Sequence, residues 1–475
     1  MDETAEQRQT LTGAARPRTP RRAVLATVCA GQFLVVLDVA VVNVGLPSIR
    51  TDLALGQSGP EWVVNAYALT FAGFLLLGGR AGDIFGRKRV FLLGLTLFTL
   101  ASLAGGLADT PGLLIAARAA QGIGAAVLSP TTLTILTTSF PGGPARTKAI
   151  ATWTAVGAGG GASGALVGGV LTEYLSWRWT LLVNVPIGLV AVAAAAAWLP
   201  ESRRPGIVRR LDLPGAFLVT AGTAALAYGI AQSSSYGWAS PRSLTPLLGG
   251  LALLGLFLLV QARTAQPLMP LGLLRVRSVT SANAVLLAVG AASFCMWYFL
   301  TLYMQNVLGY SPVVTGLAFI PHTIAIILGS KLAPRLMTRT GLPAVALCGG
   351  ALGTAGFLWQ SRLNEHGAFL GTVLGPGVCM AFGAGLMMTP IAAAATSGVA
   401  AGDQGLVSGL LNTSRQLGGA LGLTVLATVA AAHTTSNAPA ALAEGYATAF
   451  RYAAGVILLG TVLVALLPNP RRTRT

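Results

Sequence analysis

Charge is what this chain has least of. Only 9% of its 475 residues are Asp, Glu, Lys or Arg, and 14 of them are acidic. Soluble domains carry about a quarter charged residues, so a water-facing surface is excluded for most of the length. Histidine occurs three times, and the four cysteines (Cys29, Cys295, Cys348, Cys379) lack metal or redox spacing. That argues against a disulfide framework and a metal site. No Gly-Lys pair exists, and neither HExxH nor GxSxG is present. A Walker phosphate loop, zincin chemistry and a nucleophile elbow are therefore absent from the sequence. The expectation is a protein that is not an enzyme and holds no cofactor or metal.

What is present is apolar, at 54% of residues. About 20 consecutive apolar residues rising 1.5 Å each cross a bilayer's hydrocarbon. Fourteen segments pass that test, at 23–46, 61–79, 90–108, 112–136, 149–172, 179–199, 213–232, 244–262, 279–304, 312–330, 342–360, 368–395, 405–432 and 447–467. The predicted fold class is an all-α polytopic membrane protein with 14 transmembrane helices, arranged as two six-helix bundles plus two inserted helices.

The net charge of +17 would suit nucleic acid, but its placement does not. With the N-terminus cytoplasmic, 24 of the 31 Lys and Arg fall on the cytoplasmic side. Five (Arg50, Arg178, Arg242, Arg362, Arg451) lie opposite, and Arg118 and Arg415 lie within spans. This is the positive-inside distribution, which makes the bilayer the partner and places both termini in the cytoplasm. Arg far outnumbers Lys, and Ala and Gly abound, which points to a GC-rich bacterium and its plasma membrane.

The expected organisation is a cytoplasmic tail (1–22), an N-terminal six-helix bundle (23–200) and a linker carrying the two inserted spans (201–264). A C-terminal six-helix bundle (265–467) and a basic tail (468–475) follow. GGRAGDIFGRKRV after span 2 and GSKLAPRLMTRTGLP after span 10 are both short, basic and flanked by glycine. Such a parallel repeat is a transporter feature.

Asp38 interrupts FLVVLDVAVVNVGLP in span 1, where a carboxylate costs about 2.5–3.5 kcal/mol on insertion scales. Gly31 and Gly45 share its helix face and leave room beside it. Burial and a neighbouring cation act on such a carboxyl in opposite senses, which would poise it for proton exchange; a permanent structural ion pair is the alternative. The expected partner is Arg118 on span 4, part of a polar stripe with Gln121, Gly122, Ala125, Ser129 and Thr132. Such a stripe faces a bundle interior, for transport or for interhelical hydrogen bonding alone.

Span 5 carries Gly157, Gly161, Gly164 and Gly168 on one face, a packing or hinge surface for a neighbouring helix. Span 13 bears Ser408, Asn412, Arg415, Gly419 and Gly422. A buried arginine in each half suggests a cavity between them, with Gln121, Asn412 and Arg415 as candidate substrate contacts. Phe294, Trp297 and Tyr298 would floor a pocket for a planar or cationic ligand, or form an interfacial aromatic belt. His322 follows Pro321 and reads as a hydrogen-bonded structural histidine, with a titrating group as the alternative.

Several stretches resemble the major facilitator superfamily, and within it the fourteen-span drug:proton antiporter family. LDVAVVNVGLP (37–47) resembles the span 1 signature, GGRAGDIFGRKR (78–89) the cytoplasmic loop motif, and RAAQGIGAA (118–126) the span 4 motif. SWRWTLLVNVPIG (176–188) is similar to the entry to span 6. The resemblance implies proton coupling through Asp38 and Arg118, and a cytoplasmic gate at Asp83, Gly86 and Arg87. Ala165 stands where the family's span 5 motif usually has proline, and Ala40 where a threonine is common. The expected activity is proton-coupled efflux of small lipophilic or cationic compounds, antibiotics among them, by alternating access. The partners are then that substrate, protons and the bilayer, with the proton gradient as the energy source. A metabolite importer or facilitator on the same fold is the alternative.

Overall fold

The computed structural model describes residues 20–56, 59–140, 144–201, 211–397, 399 and 404–464. The tails expected at 1–22 and 468–475 fall largely or wholly outside them, as do residues 202–210 at the start of the expected linker (201–264). Fourteen helices among the described residues are long and apolar enough to cross a membrane, and no described residue is in a strand. They are α1 (Arg21–Asp52), α2 (Gly59–Phe85), α3 (Arg87–Gly106), α4 (Pro111–Ser139), α5 (Lys148–Tyr174), α6 (Trp179–Trp198), α7 (Leu213–Ser233) and α8 (Pro241–Arg263). The chain continues through α9 (Arg277–Val307), α10 (Pro312–Thr340), α11 (Leu342–Gln360), α12 (Phe369–Thr396), α13 (Gln404–Ala432) and α14 (Pro439–Leu463). The chain is a multi-pass membrane protein.

Every expected span is a helix, but several run beyond their apolar core. α1 continues through Pro47 to Asp52, and α10 continues to Thr340. Hydropathy marks the part that needs hydrocarbon; the backbone stays helical until a cap or a steric break stops it. α10 is interrupted at Phe319, just before Pro321, because proline supplies no N–H to the preceding turn. Its start is set by Pro312 at the first helical position and by the Ser311 hydroxyl, which accepts from the Val314 N–H at 3.4 Å.

Packing repeats along the chain. α1 packs on α5, α2 on α4, α3 on α4 and α3 on α6; eight helices later, α9 packs on α13, α10 on α12, α11 on α12 and α11 on α14. An offset of eight is six plus the inserted pair. The two sets meet through α2 against α13 and α5 against α10, pairings that exchange equivalent helices. α7 lies over the α2–α13 seam, and α8 packs mainly on α7 with only 17% of its apolar window buried. α8 therefore faces lipid.

Glycine makes the closest of these approaches possible. A Cβ on Gly168 would lie 2.7 Å from the Val41 carbonyl oxygen, and one on Gly164 would lie 2.7 Å from Ala40 Cβ. Gly157 and Gly161 also lie toward α1, beside Gln32 and Val36, but with 3.5–3.6 Å to spare. The four-glycine face of span 5 is thus the α1–α5 contact. The opposite face of α5 meets the other set, where the Ala165 carbonyl would lie 2.3 Å from a Cβ on Gly316.

This difference along one face gives a test. Gly168→Ala drives a methyl into backbone that has no flexible end to move, and overpacking of this kind costs about 1–3 kcal/mol. Thermal unfolding of the purified protein should show a clear drop in midpoint for Gly168→Ala and no drop for Gly161→Ala. Equal behaviour of the two variants would contradict the packing described.

Candidate functional site

Asp38 is completely buried in the middle of α1, and five helices converge on it. Its Oδ2 accepts from Arg118 Nη1 at 2.6 Å. Its Oδ1 accepts from Gln121 Nε2 at 3.0 Å and from Asn184 Nδ2 at 2.8 Å. Arg118, 2% exposed, also donates from Nη1 to Gln121 Oε1 (2.7 Å) and from Nε to the Val63 carbonyl (3.1 Å). The guanidinium carbon sits 4.5 Å from the centre of the Tyr67 ring, a cation–π contact. Gln121 Nε2 donates onward to Ser102 Oγ at 2.6 Å.

The sequence placed Asp38, Arg118 and Gln121 in the membrane interior, and the structure joins them in one network. It did not single out Ser102, Asn184, Val63 or Tyr67. Asn184 was legible in principle, being polar inside the quoted LLVNVPIG of span 6. The Val63 carbonyl carries no sequence signal at all.

The room expected beside Asp38 is filled by neighbouring helices. A Cβ on Gly31 would touch Phe91 and Leu128, and one on Gly45 would touch Thr180. The carboxylate consequently faces the interior of its own helix set. Its chemistry follows from its partners, since all three groups pointing at it are N–H donors. A proton added to the carboxyl would turn one acceptor into a donor facing another donor. The arrangement fits the ionised acid, and neutralisation requires side chains to rearrange.

The six residues expected around a shared cavity do not gather in one place. A cavity of about 300 Å³ lies toward the end of the bundle that carries few arginines. It is lined by α1, α2, α7, α9, α13 and α14, and of the six only Tyr298 reaches it. Gln121 belongs to the Asp38 network. Arg415 Nη2 donates to Asn412 Oδ1 at 3.1 Å on the same helix. Phe294 lies against Gly419 in the seam with α2, and Trp297 stacks at a tilt on Phe319, centroids 4.6 Å apart. Residues 294, 297 and 298 fall within about 100° of one another around α9, so they share one broad face, and it is the different neighbours met across that face that separate them. His322 is anchored between the carbonyls of Ala318 (2.9 Å) and Val373 (3.2 Å).

At the arginine-rich end, Gly86 joins α2 to α3 with φ +101°, a backbone that disfavours any side chain. Arg87 Nη2 meets Asp83 Oδ1 at 3.0 Å, with the Asp83 side chain one-third exposed. The loop is tied to α6: Lys88 Nζ donates to the Ala196 carbonyl at 2.6 Å, and Arg89 pairs with Glu201 at 3.7 Å. Among the described residues, Asp83 makes no hydrogen bond to α9–α14, so the expected gate is not bridged in this conformation.

Comparison with known proteins agrees with the fold. The family model for the Major Facilitator Superfamily matches residues 28–423. The chain belongs to that superfamily. It is 49% identical over 452 residues to the cephamycin export protein CmcT of Amycolatopsis lactamdurans, covering 94% of this chain and 93% of that one. It is 41% identical to the puromycin resistance protein pur8 of Streptomyces alboniger, covering 94% and 91%. A solved structure of a proton-dependent oligopeptide transporter superposes with a TM-score of 0.68 at 16% identity, over 94% of this chain and 99% of that one; this likeness concerns the fold alone.

The network makes a stability prediction. Removing one partner of a buried pair costs about 3–5 kcal/mol, whereas replacing both with apolar groups is often neutral. Arg118→Met should therefore unfold at a markedly lower temperature than wild type, and adding Asp38→Leu should restore much of the loss. A double variant no more stable than Arg118→Met would show that the two side chains are not energetically coupled.

Proposed function

We propose that the protein is a proton-coupled antiporter. It expels small, lipophilic, antibiotic-like molecules from a bacterial cell, with both termini in the cytoplasm. That it is an efflux transporter follows from its extended similarity to named export and resistance proteins, covered nearly end to end. The orientation rests on the excess of Lys and Arg at one end of the bundle.

The observation that carries proton coupling is the ionised-acid network around Asp38. Because every partner is a donor, a proton arriving at Asp38 breaks the pattern that fixes α4 and α6 against α1. Charge and helix arrangement are thereby linked, as a coupled transporter requires. Each proton entering down a 100 mV potential supplies about 2.3 kcal/mol from the electrical part alone. Rocking of one helix set against the other, about the α2–α13 and α5–α10 contacts, would convert that energy into outward movement of cargo.

Asp38→Asn is the direct test, in inside-out vesicles energised with a proton gradient. Uphill uptake of a drug substrate should vanish while the protein still inserts and purifies normally. Wild-type vesicles should move at least one proton per substrate. Undiminished uphill transport by the variant would remove Asp38 from the coupling mechanism. Accumulation of substrate inside intact cells, reversed by deleting the gene, would favour import.

A further inference from the structure

Glu61 escapes notice in the sequence because it stands in the first turn of α2, where acids commonly sit in solvent and complement the helix dipole. In the structure it is 2% exposed, and one of its carboxylate oxygens is buried without a hydrogen-bond partner. It lines the 300 Å³ cavity at the arginine-poor end. Arg50, on the last turn of α1, lines the same cavity, and its side chain makes no ion pair or hydrogen bond among the described residues. Asp52 and Glu173 at this end are engaged, with Arg178 at 2.6 Å and with the Val313 N–H at 2.9 Å, while Asp109 and Glu444 are exposed and lie outside the cavity.

A buried, unpaired acid and a half-buried, unpaired base line one cavity without being joined to each other, and so present two polar groups to whatever enters it. Buried polar groups are normally paired. Tyr298, Tyr446, Ser235 and Asn437 add hydroxyl and amide groups and aromatic faces to the same walls. The wall also draws on both helix sets and on the inserted α7, so its shape changes whenever the sets move. A volume of this size admits a small organic molecule but not a folded domain.

We infer that this cavity is a binding site for a zwitterion: a molecule bearing an ammonium group, held by Glu61, and a carboxylate, held by Arg50, on an apolar or aromatic body. The charge pair reads both ends of an α-amino acid moiety at once. A site built to pair with two charged groups rejects analogues lacking either, because its own charge is then stranded. This deepens the export reading by naming a cargo class, and rests on it only in calling the ligand cargo.

Equilibrium binding tests it without any gradient. Full-length protein in lipid nanodiscs is titrated with Nε-dansyl-lysine, its methyl ester and its Nα-acetyl derivative, following dansyl fluorescence. Wild type should bind the zwitterion about tenfold or more tightly than either derivative, the worth of one charge-assisted hydrogen bond. Arg50→Gln should bring the zwitterion down to the level of the ester while leaving the ester unchanged. Glu61→Gln should bring it down to the level of the acetyl derivative. Equal binding of all three probes by wild type, or no saturable binding, overturns the inference, and so does loss of all three in proportion in either variant. The comparison of probes on wild type stands even if a variant fails to fold. None of these outcomes bears on Asp38-dependent export, and failure of Asp38 coupling leaves the binding result intact.

Discussion

A carboxylate in the middle of an apolar helix sets the terms for the N-terminal helix set. Asp38 is completely buried in this conformation, so the protein supplies its donors, and three come from α4 and α6. Two of these donors are held in turn: Arg118 by the Val63 carbonyl and the Tyr67 ring, Gln121 by Ser102. The relative positions of α1, α2, α3, α4 and α6 are therefore fixed by hydrogen bonds with narrow distance requirements as well as by packing. The proposed coupling draws on this geometry, in which every group directed at the carboxylate is a donor.

Around it, small residues decide how close helices come. Without a hydrophobic drive between helices in lipid, contact area and close backbone approach carry the association. Gly168 over Val41, Gly78 over Ala126 and Gly122 over the Tyr67 carbonyl bring main chains together in the first set. Gly418 over Leu287 and Gly383 over Gly349 do so in the second. The α5–α10 contact uses the same device between the sets, at Gly169 and Gly316. Smooth, side-chain-poor surfaces suit helices that must pack tightly and also move past one another.

The inserted pair occupies a position with consequences for cargo. α7 covers the α2–α13 seam and contributes Ala231 to the cavity wall, with Ser235 just beyond its end. It is anchored at the arginine-rich end by Asp212, which caps α7 through the Gly215 N–H and accepts from Gln261 and the Leu268 N–H. The first of the two extra helices thus adds a third wall to a space that the two sets alone would enclose differently.

How much of this was legible in the sequence depends on the range of the interaction. Apolar length, the scarcity of acids and the one-sided distribution of arginine are properties of the chain itself, and they determined the class, the number of spans and the expected orientation. Asp38 and Arg118 stood out because charge in hydrocarbon is costly wherever the chain places it. The glycine face of span 5 was visible as a periodicity, although its partner was not. Only the tertiary structure decided that Asn184 and Ser102 complete the network, because hydrogen bonds between helices carry no sequence spacing. It alone separated Phe294, Trp297 and Tyr298, since they share a helix face and only the packing decides which neighbour each ring meets. It also buried Glu61 beside an unpaired Arg50, because burial at a helix end depends on which other helices arrive there.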